Sequence, residues 1–190
     1  MEILDSGTRR EFESGAVRDI AEGKGRCDLL PLGIIGEMIQ DSRLCDIEDY
    51  IRSGNPRCLY RVIDGFCEEH FGGFAAGMLE VAKHYEDGAK KYADRNWEKG
   101  INLHCYIDSA VRHYIKWYRG DIDEPHDRAF IWNLLGALWT QEHKPNLIDL
   151  PFKTKDCPYR MFFDDLGLHY CDIDDKICTD ICDCTKEKKV

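Results

Sequence analysis

The chain has 190 residues, 43% of them hydrophobic and 33% charged, with a formal net charge of −10. That length supports one full core and at most two domains. The acidic balance excludes a general binder of nucleic acid or anionic membrane, but not a small phosphorylated ligand held at a local basic site. The opening stretch "MEILDSGTRREFESGAV" is charged throughout and lacks the apolar segment of a secretory signal. No run approaches the roughly 20 apolar residues of a membrane span. A cytoplasmic, membrane-free protein is therefore expected, and its ten cysteines are expected to be reduced.

Residues 1–27 read as polar, with "EGKGR" as a flexible turn. "DLLPLGIIGEMIQ", 28–40, predicts a first helix interrupted near Pro31 and Gly33. "SRLCDIEDYIRSG" fits a short helix, with Asn55–Pro56 as a turn. Residues 58–73 carry apolar residues at both helix and strand spacing. Three strong helices follow. The first, about 74–93, has Met78, Ala82, Tyr85, Ala89 and Tyr92 at spacings of three and four. The second, about 103–118, has Leu103, Ile107, Ala110, Val111, Tyr114 and Tyr118. The third starts at an acidic cap followed by Pro125, runs to about Gln141, and is apolar nearly all round, as expected of a buried central helix. Beyond Pro145 the chain turns acidic, aromatic and rich in cysteine. The fold class expected is all-α, a helical bundle over 1–150 with an irregular Cys-rich appendage over 151–190.

Helical angles of about 100° per residue locate the polar groups. Glu80, His84, Asp87 and Lys91 share a face expected to be solvated. Glu86 falls between Leu79 and Ala82 in the apolar stripe, where a carboxylate needs a cation or donors. Asp108 and His113 sit at opposite margins of the second helix's apolar arc. On the third, His126 and Asn133 align, and Ala129, Gly136, Ala137 and Thr140 surround Asn133 with small side chains. Glu86, Asp108, His126 and Asn133 can therefore converge, with Glu124 and Asp127 adding an E-x-x-D pair. Inward carboxylates on bundle helices build divalent-metal sites. Oxygen-rich sets suit Mg²⁺ or Mn²⁺, and a histidine tilts the choice toward Mn²⁺. Each of these residues could equally be a core hydrogen-bonder or pair with Arg112, Lys90 or Lys91.

The stretch "YEDGAKKYADRNWEKG" places Trp97 in a polar burst where a helix stops. Lys90, Lys91, Arg95, Lys99 and Arg112 supply donors for phosphate, Trp97 a stacking surface for a base, and Asn96 a group for a base edge or phosphate. The plainer reading is that Trp97 plugs the end of the bundle.

The blocks "EGKGRCDLLP", "YEDGAKKYADRNWEKG", "IDSAVRHYIKWYRGD" and "PHDRAFIWNLLGAL" occur in that order. Together they resemble the dATP/dGTP diphosphohydrolase N-terminal-type domain of phages and bacteria, itself similar to the MazG-like all-α NTP pyrophosphatases. The resemblance covers about 23–40 and 78–141, and residues 41–74 read as an insertion between blocks. It implies a helical homo-oligomer that uses Mg²⁺ or Mn²⁺ to cleave a (deoxy)nucleoside triphosphate to monophosphate and pyrophosphate. The family pattern maps onto Glu86, Gly88, Lys91 and Tyr92; onto Asn96, Trp97 and Lys99; onto Asp108, Arg112 and His113; and onto His126, Trp132 and Asn133. One departure stands out: Glu124 and Asp127 give one E-x-x-D, but the helix at 74–93 has no E-x-x-E.

On this reading Glu86, Asp108, Glu124 and Asp127 are the expected metal ligands, and Lys91, Lys99 and Arg112 clamp phosphates. His126 or His113 ligates or carries a proton. Glu86, Lys91, Asp108, Arg112 and His126 are the catalytic set; Lys90, Asn96, Trp97, Lys99, His113 and Asn133 are the nucleotide-binding set. The alternative is a protein that binds a nucleotide or nucleotide-derived signal without cleaving it, such as a phage counter-defence factor in the host cytoplasm. Cys171, Cys178, Cys182 and Cys184 form a further candidate set, for Zn²⁺ in the tail.

Overall fold

In a computed structural model of the chain, residues 9–20 and 22–152 are described in full, and 160–163, 168–171 and 176–177 as strand backbone. The polar N-terminal region forms a hairpin: β1 (Arg9–Glu11) pairs antiparallel with β2 (Val17–Asp19). A 3-10 turn at Cys27–Leu29 precedes α1 (Leu32–Ile39). The break falls at Leu30, which is extended (φ −69°, ψ 149°) because Pro31 disfavours helical geometry in the residue before it.

The ambiguous segment after Gln40 is helical. In α2 (Ser42–Ser53) the Asp41 side chain accepts from the Arg43 N–H at 3.0 Å, a side-chain N-cap. In α3 (Pro56–Phe66) Asn55 caps the Arg57 N–H at 3.0 Å and Pro56 takes the first-turn position. A π-helical turn, Cys67–Phe71, leads to α4 (Phe74–Tyr92). Then come a 3-10 turn at Asn96–Lys99, α5 (Leu103–Arg119) and α6 (His126–His143). The three long helices stand where the spacing predicts them. Past the bundle, β3 (Arg160–Phe163), β4 (Leu168–Cys171) and β5 (Lys176–Ile177) pair antiparallel in sequence order. The zinc set suggested for Cys171, Cys178, Cys182 and Cys184 lies outside the described side chains.

The core is built on α5 against α6. Tyr106, Ile107, Ala110 and Tyr114 of α5 are buried with Phe130, Leu134 and Ala137 of α6. Gly136 lets the Tyr106 ring lie flush on α6, since a Cβ there would collide with it. Residues 42–66 belong to this same core through Leu44, Ile47, Tyr50, Leu59, Val62 and Phe66. Phe66 meets Phe130 edge-on at 5.1 Å and Trp117 at 4.8 Å. Leu150 and Phe152 close the bundle, with Phe152 packed edge-on to Tyr50 at 5.7 Å.

The phase of α4 differs from the expectation. Its buried positions are Gly77, Val81 and His84, while Leu79 is 71% exposed and Ala82 is exposed. The helix is turned by about one residue, or 100°, from the stripe that hydrophobicity alone selects. Close packing of Gly77 on Cys67 and Phe71 accompanies that rotation: a Cβ at 77 would collide with Cys67 and press on Phe71. His84, expected in solvent, is therefore buried, and Glu86, expected within the apolar stripe, is exposed.

Candidate functional site

A cleft of about 1010 Å³ lies between β2, the C-terminal half of α4, the turn after it, α5 and the start of α6. Its walls include Arg18, Lys24, His84, Tyr85, Glu86, Asn96, Trp97, Arg112, His113, Lys116, Glu124, Trp132 and Asn133. The turn that borders it holds two non-glycine residues at positive φ, Ala93 (81°) and Arg95 (55°), a local strain of the kind that gathers at functional loops.

Trp97 is wedged between Tyr85, 5.7 Å away edge-on, and Trp139, 5.0 Å away edge-on. It plugs the bundle end and still borders the cleft. Asn96 is buried and spent on the backbone: its Nδ2 donates to the Val17 carbonyl at 2.9 Å and its Oδ1 accepts from the Val17 N–H at 3.1 Å. It thereby fastens the hairpin to the bundle, which places β2 on the cleft wall.

The α5 and α6 walls bring three donor atoms together. His113 Nδ1 lies 3.0 Å from His126 Nδ1, and Glu124 Oε1 lies 3.6 Å and 3.5 Å from these two nitrogens. Burial, and then the neighbouring His126, hold His113 well below the usual histidine pKa, so it stands neutral. His126 Nε2–H donates to Asp123 Oδ1 at 2.7 Å, which leaves its Nδ1 lone pair toward the cluster. Lys116, at 2.8 Å, and His126 keep Asp123 well below the ordinary carboxylate range. Two imidazole nitrogens and a carboxylate oxygen at these separations match adjacent ligands about 2.1 Å from one ion. A carboxylate behind a ligating imidazole is the usual orienting partner. The trio therefore fits a divalent cation, and its nitrogen content suits a transition ion better than Mg²⁺.

The four carboxylates expected as ligands do not meet. Glu86 is 66% exposed at its side chain and pairs with Lys90 at 2.8 Å. Asp108 is buried, but it accepts the Cys27 N–H at 2.7 Å and the Arg112 guanidinium, so it secures the turn before α1. Asp127 faces His70 at 3.0 Å and accepts the Arg128 N–H at 2.7 Å. Only Glu124 of the four reaches the histidines. Of the expected binding groups, Asn96, Trp97, Arg112, His113 and Asn133 border the cleft, and His126 lies against His113. Lys90, Lys91 and Lys99 do not border it; Lys91 pairs with Asp19 at 2.9 Å, and Lys99 reaches the Gly15 carbonyl at 3.2 Å.

Sequence reasoning passed over Arg18 and Lys24 as site residues and assigned His84 to a solvated face, whereas it is buried. Arg18 donates to Asn133 Oδ1 at 2.8 Å and to the Cys105 carbonyl at 3.3 Å. Its guanidinium carbon sits 5.3 Å from the Tyr106 ring centre and 5.5 Å from that of Trp132. Burial lowers its pKa from the ordinary arginine range. The only hint in the sequence is the alternation of "VRDI", too short to read as a strand by itself.

Residues 70–149 match a family model described as dATP/dGTP diphosphohydrolase, N-terminal. No curated protein and no solved structure matches the chain. No helix among the described residues is long and apolar enough to cross a membrane.

Proposed function

On the premise that residues 70–149 form a dATP/dGTP diphosphohydrolase N-terminal domain, we propose that the cleft binds a purine deoxynucleoside triphosphate and hydrolyses it to monophosphate and pyrophosphate. One observation carries this reading: the His113, Glu124 and His126 donors meet at a wall of the cleft that also presents aromatic rings and cations. His113, Glu124 and His126 would hold a divalent ion, which when bound would supply Lewis-acid stabilisation of charge on the phosphate oxygens. Asp123 fixes the His126 tautomer, and neutral His113 keeps a lone pair available. Arg112 and Lys116 offset the triphosphate charge from α5. Trp97 and Tyr85 give the base an apolar wall. Water adds to the α-phosphorus and gives up a proton to solvent, the bond from the α-phosphorus to the α,β-bridging oxygen breaks, and pyrophosphate leaves with that electron pair.

The test is incubation of the purified protein with ribo- and deoxynucleoside triphosphates in Mg²⁺ or Mn²⁺, resolving nucleotide products and separating pyrophosphate from phosphate. Monophosphate plus pyrophosphate from dATP or dGTP, abolished by Glu124→Gln, is the expected result. One observation favours a second reading, binding without turnover: three of the four carboxylates expected at a metal centre are engaged elsewhere. Intact nucleotides across the panel, with a nucleotide still bound, would establish that reading instead.

A further inference from the structure

Arg18 and His84 flank the same indole on the cleft wall, Arg18 5.5 Å and His84 5.6 Å from Trp132. No carboxylate among the described residues pairs with Arg18; its hydrogen-bond partners are two neutral oxygens, Asn133 Oδ1 and the Cys105 carbonyl. A guanidinium drawn out of water with only neutral partners is incompletely compensated, and an anion would complete it. Its orientation is fixed from behind. Asn133 Nδ2 donates to the Ala129 carbonyl at 2.7 Å, so its amide oxygen is the atom turned to Arg18. Two of the five guanidinium N–H donors are used in this way, which leaves the others for a ligand. His84 is an independent sign. It is 8% exposed, and its Nδ1 is sealed from solvent with no hydrogen-bond partner among the described residues. A buried nitrogen without a partner is uncommon in a finished fold.

We propose that Arg18 and His84 form the subsite that receives a phosphate group of the substrate, so that the N-terminal hairpin, which lies outside residues 70–149, is part of the site. This rests on the nucleotide reading of the cleft. An arginine fork matches phosphate oxygens bidentately, and a neutral imidazole adds a single N–H. Lys24, Arg112 and Lys116 on the surrounding walls suit a polyanion better than a single carboxylate.

The probes are a dGTP analogue with a methylene between the α- and β-phosphorus, and deoxyguanosine, which has no phosphate. Both are titrated by calorimetry into wild type, Arg18→Gln, Arg18→Lys and His84→Asn, with Mn²⁺ and with chelator. Arg18→Gln is expected to weaken the analogue by about tenfold to a hundredfold, the range for a hydrogen bond to a charged group. Arg18→Lys, which keeps the charge and loses the fork, is expected to lie between it and wild type. His84→Asn is expected to weaken the analogue by up to about tenfold. Deoxyguanosine is expected to bind all four proteins alike. Analogue binding by Arg18→Gln within twofold of wild type would overturn the subsite and leave the nucleotide reading standing. An equal loss for deoxyguanosine would also overturn it, by showing that Arg18 only shapes the wall. If wild type binds neither probe, the reading of the cleft falls as well. Should Arg18→Gln fail to fold by circular dichroism, Arg18→Lys and His84→Asn decide the question by the same criteria.

Discussion

His126 presents its Nδ1 to His113 and Glu124 because Asp123 accepts the hydrogen bond of the other ring nitrogen, Nε2–H. Asp123→Asn is therefore expected to weaken Mn²⁺ binding about tenfold to a hundredfold, the usual cost of losing such an orienting partner. Titration followed by the paramagnetic signal of free Mn²⁺ measures it. Asp108 makes the opposite case. It is a carboxylate the sequence offers for chemistry, but the fold uses it to hold Arg112 and the Cys27 N–H. Asp108→Ala removes the acceptor of the Cys27 N–H and the carboxylate partner of Arg112, which keeps the Lys24 and Gly25 carbonyls, and is expected to cost about 3 kcal/mol of stability in urea melts. The sequence marked Asp108 as a carboxylate at the margin of an apolar arc and read Asp123 only as part of an acidic helix cap. It could not assign their roles, because those depend on the Cys27 N–H beside Asp108 and on His113 beside His126, which only the packing brings near.

At the scale of elements, the seam of α5 and α6 depends on Gly136. Gly136→Ala adds a Cβ that must displace the Tyr106 ring. The expected destabilisation is about 1–3 kcal/mol, in spite of alanine's better helix propensity. Denaturant unfolding measures the loss. Since Tyr106 lies 5.3 Å from the Arg18 guanidinium, the same substitution is expected to weaken triphosphate binding as well. Helices α5 and α6 were legible because each carries a broad apolar arc that packing confirms. Helix α4 was legible in its span but not in its rotation. The face that packs carries Gly77, against Cys67 and Phe71, and with it His84 lies in and Glu86 out. The hairpin of β1 and β2 was not legible, since strands of three residues have no periodicity to read and are held by Asn96 from the far side of α4.

For the whole molecule, two histidines shape stability against pH in opposite directions. Burial lowers His84 to about 4 from 6.5. Its contribution is complete above pH 6.5 and is lost as pH falls toward 4, a span of about 3 kcal/mol at 1.36 kcal/mol per unit. Urea melts at pH 7.5 and 4.5 are expected to show this acid loss, and His84→Phe is expected to flatten it. His104 has the other sign. Its hydrogen bond to Asp149, and then its contact with Cys105, raise it to about 10. Its stabilisation is present below pH 6.5 and fades as pH rises through 10, reduced in size because the side chain is 26% exposed. By itself the sequence determined the helical class, the spans of the long helices, and a family resemblance whose blocks at about 78–141 fall within the matched residues 70–149, because apolar spacing and local motifs are properties of neighbours along the chain. Tertiary structure alone decided that Glu124 rather than Asp108 or Asp127 joins the histidines, and that Arg18 stands on the cleft wall. Those outcomes depend on helix rotation and on contacts between residues as far apart as 18 and 133, which no local pattern encodes.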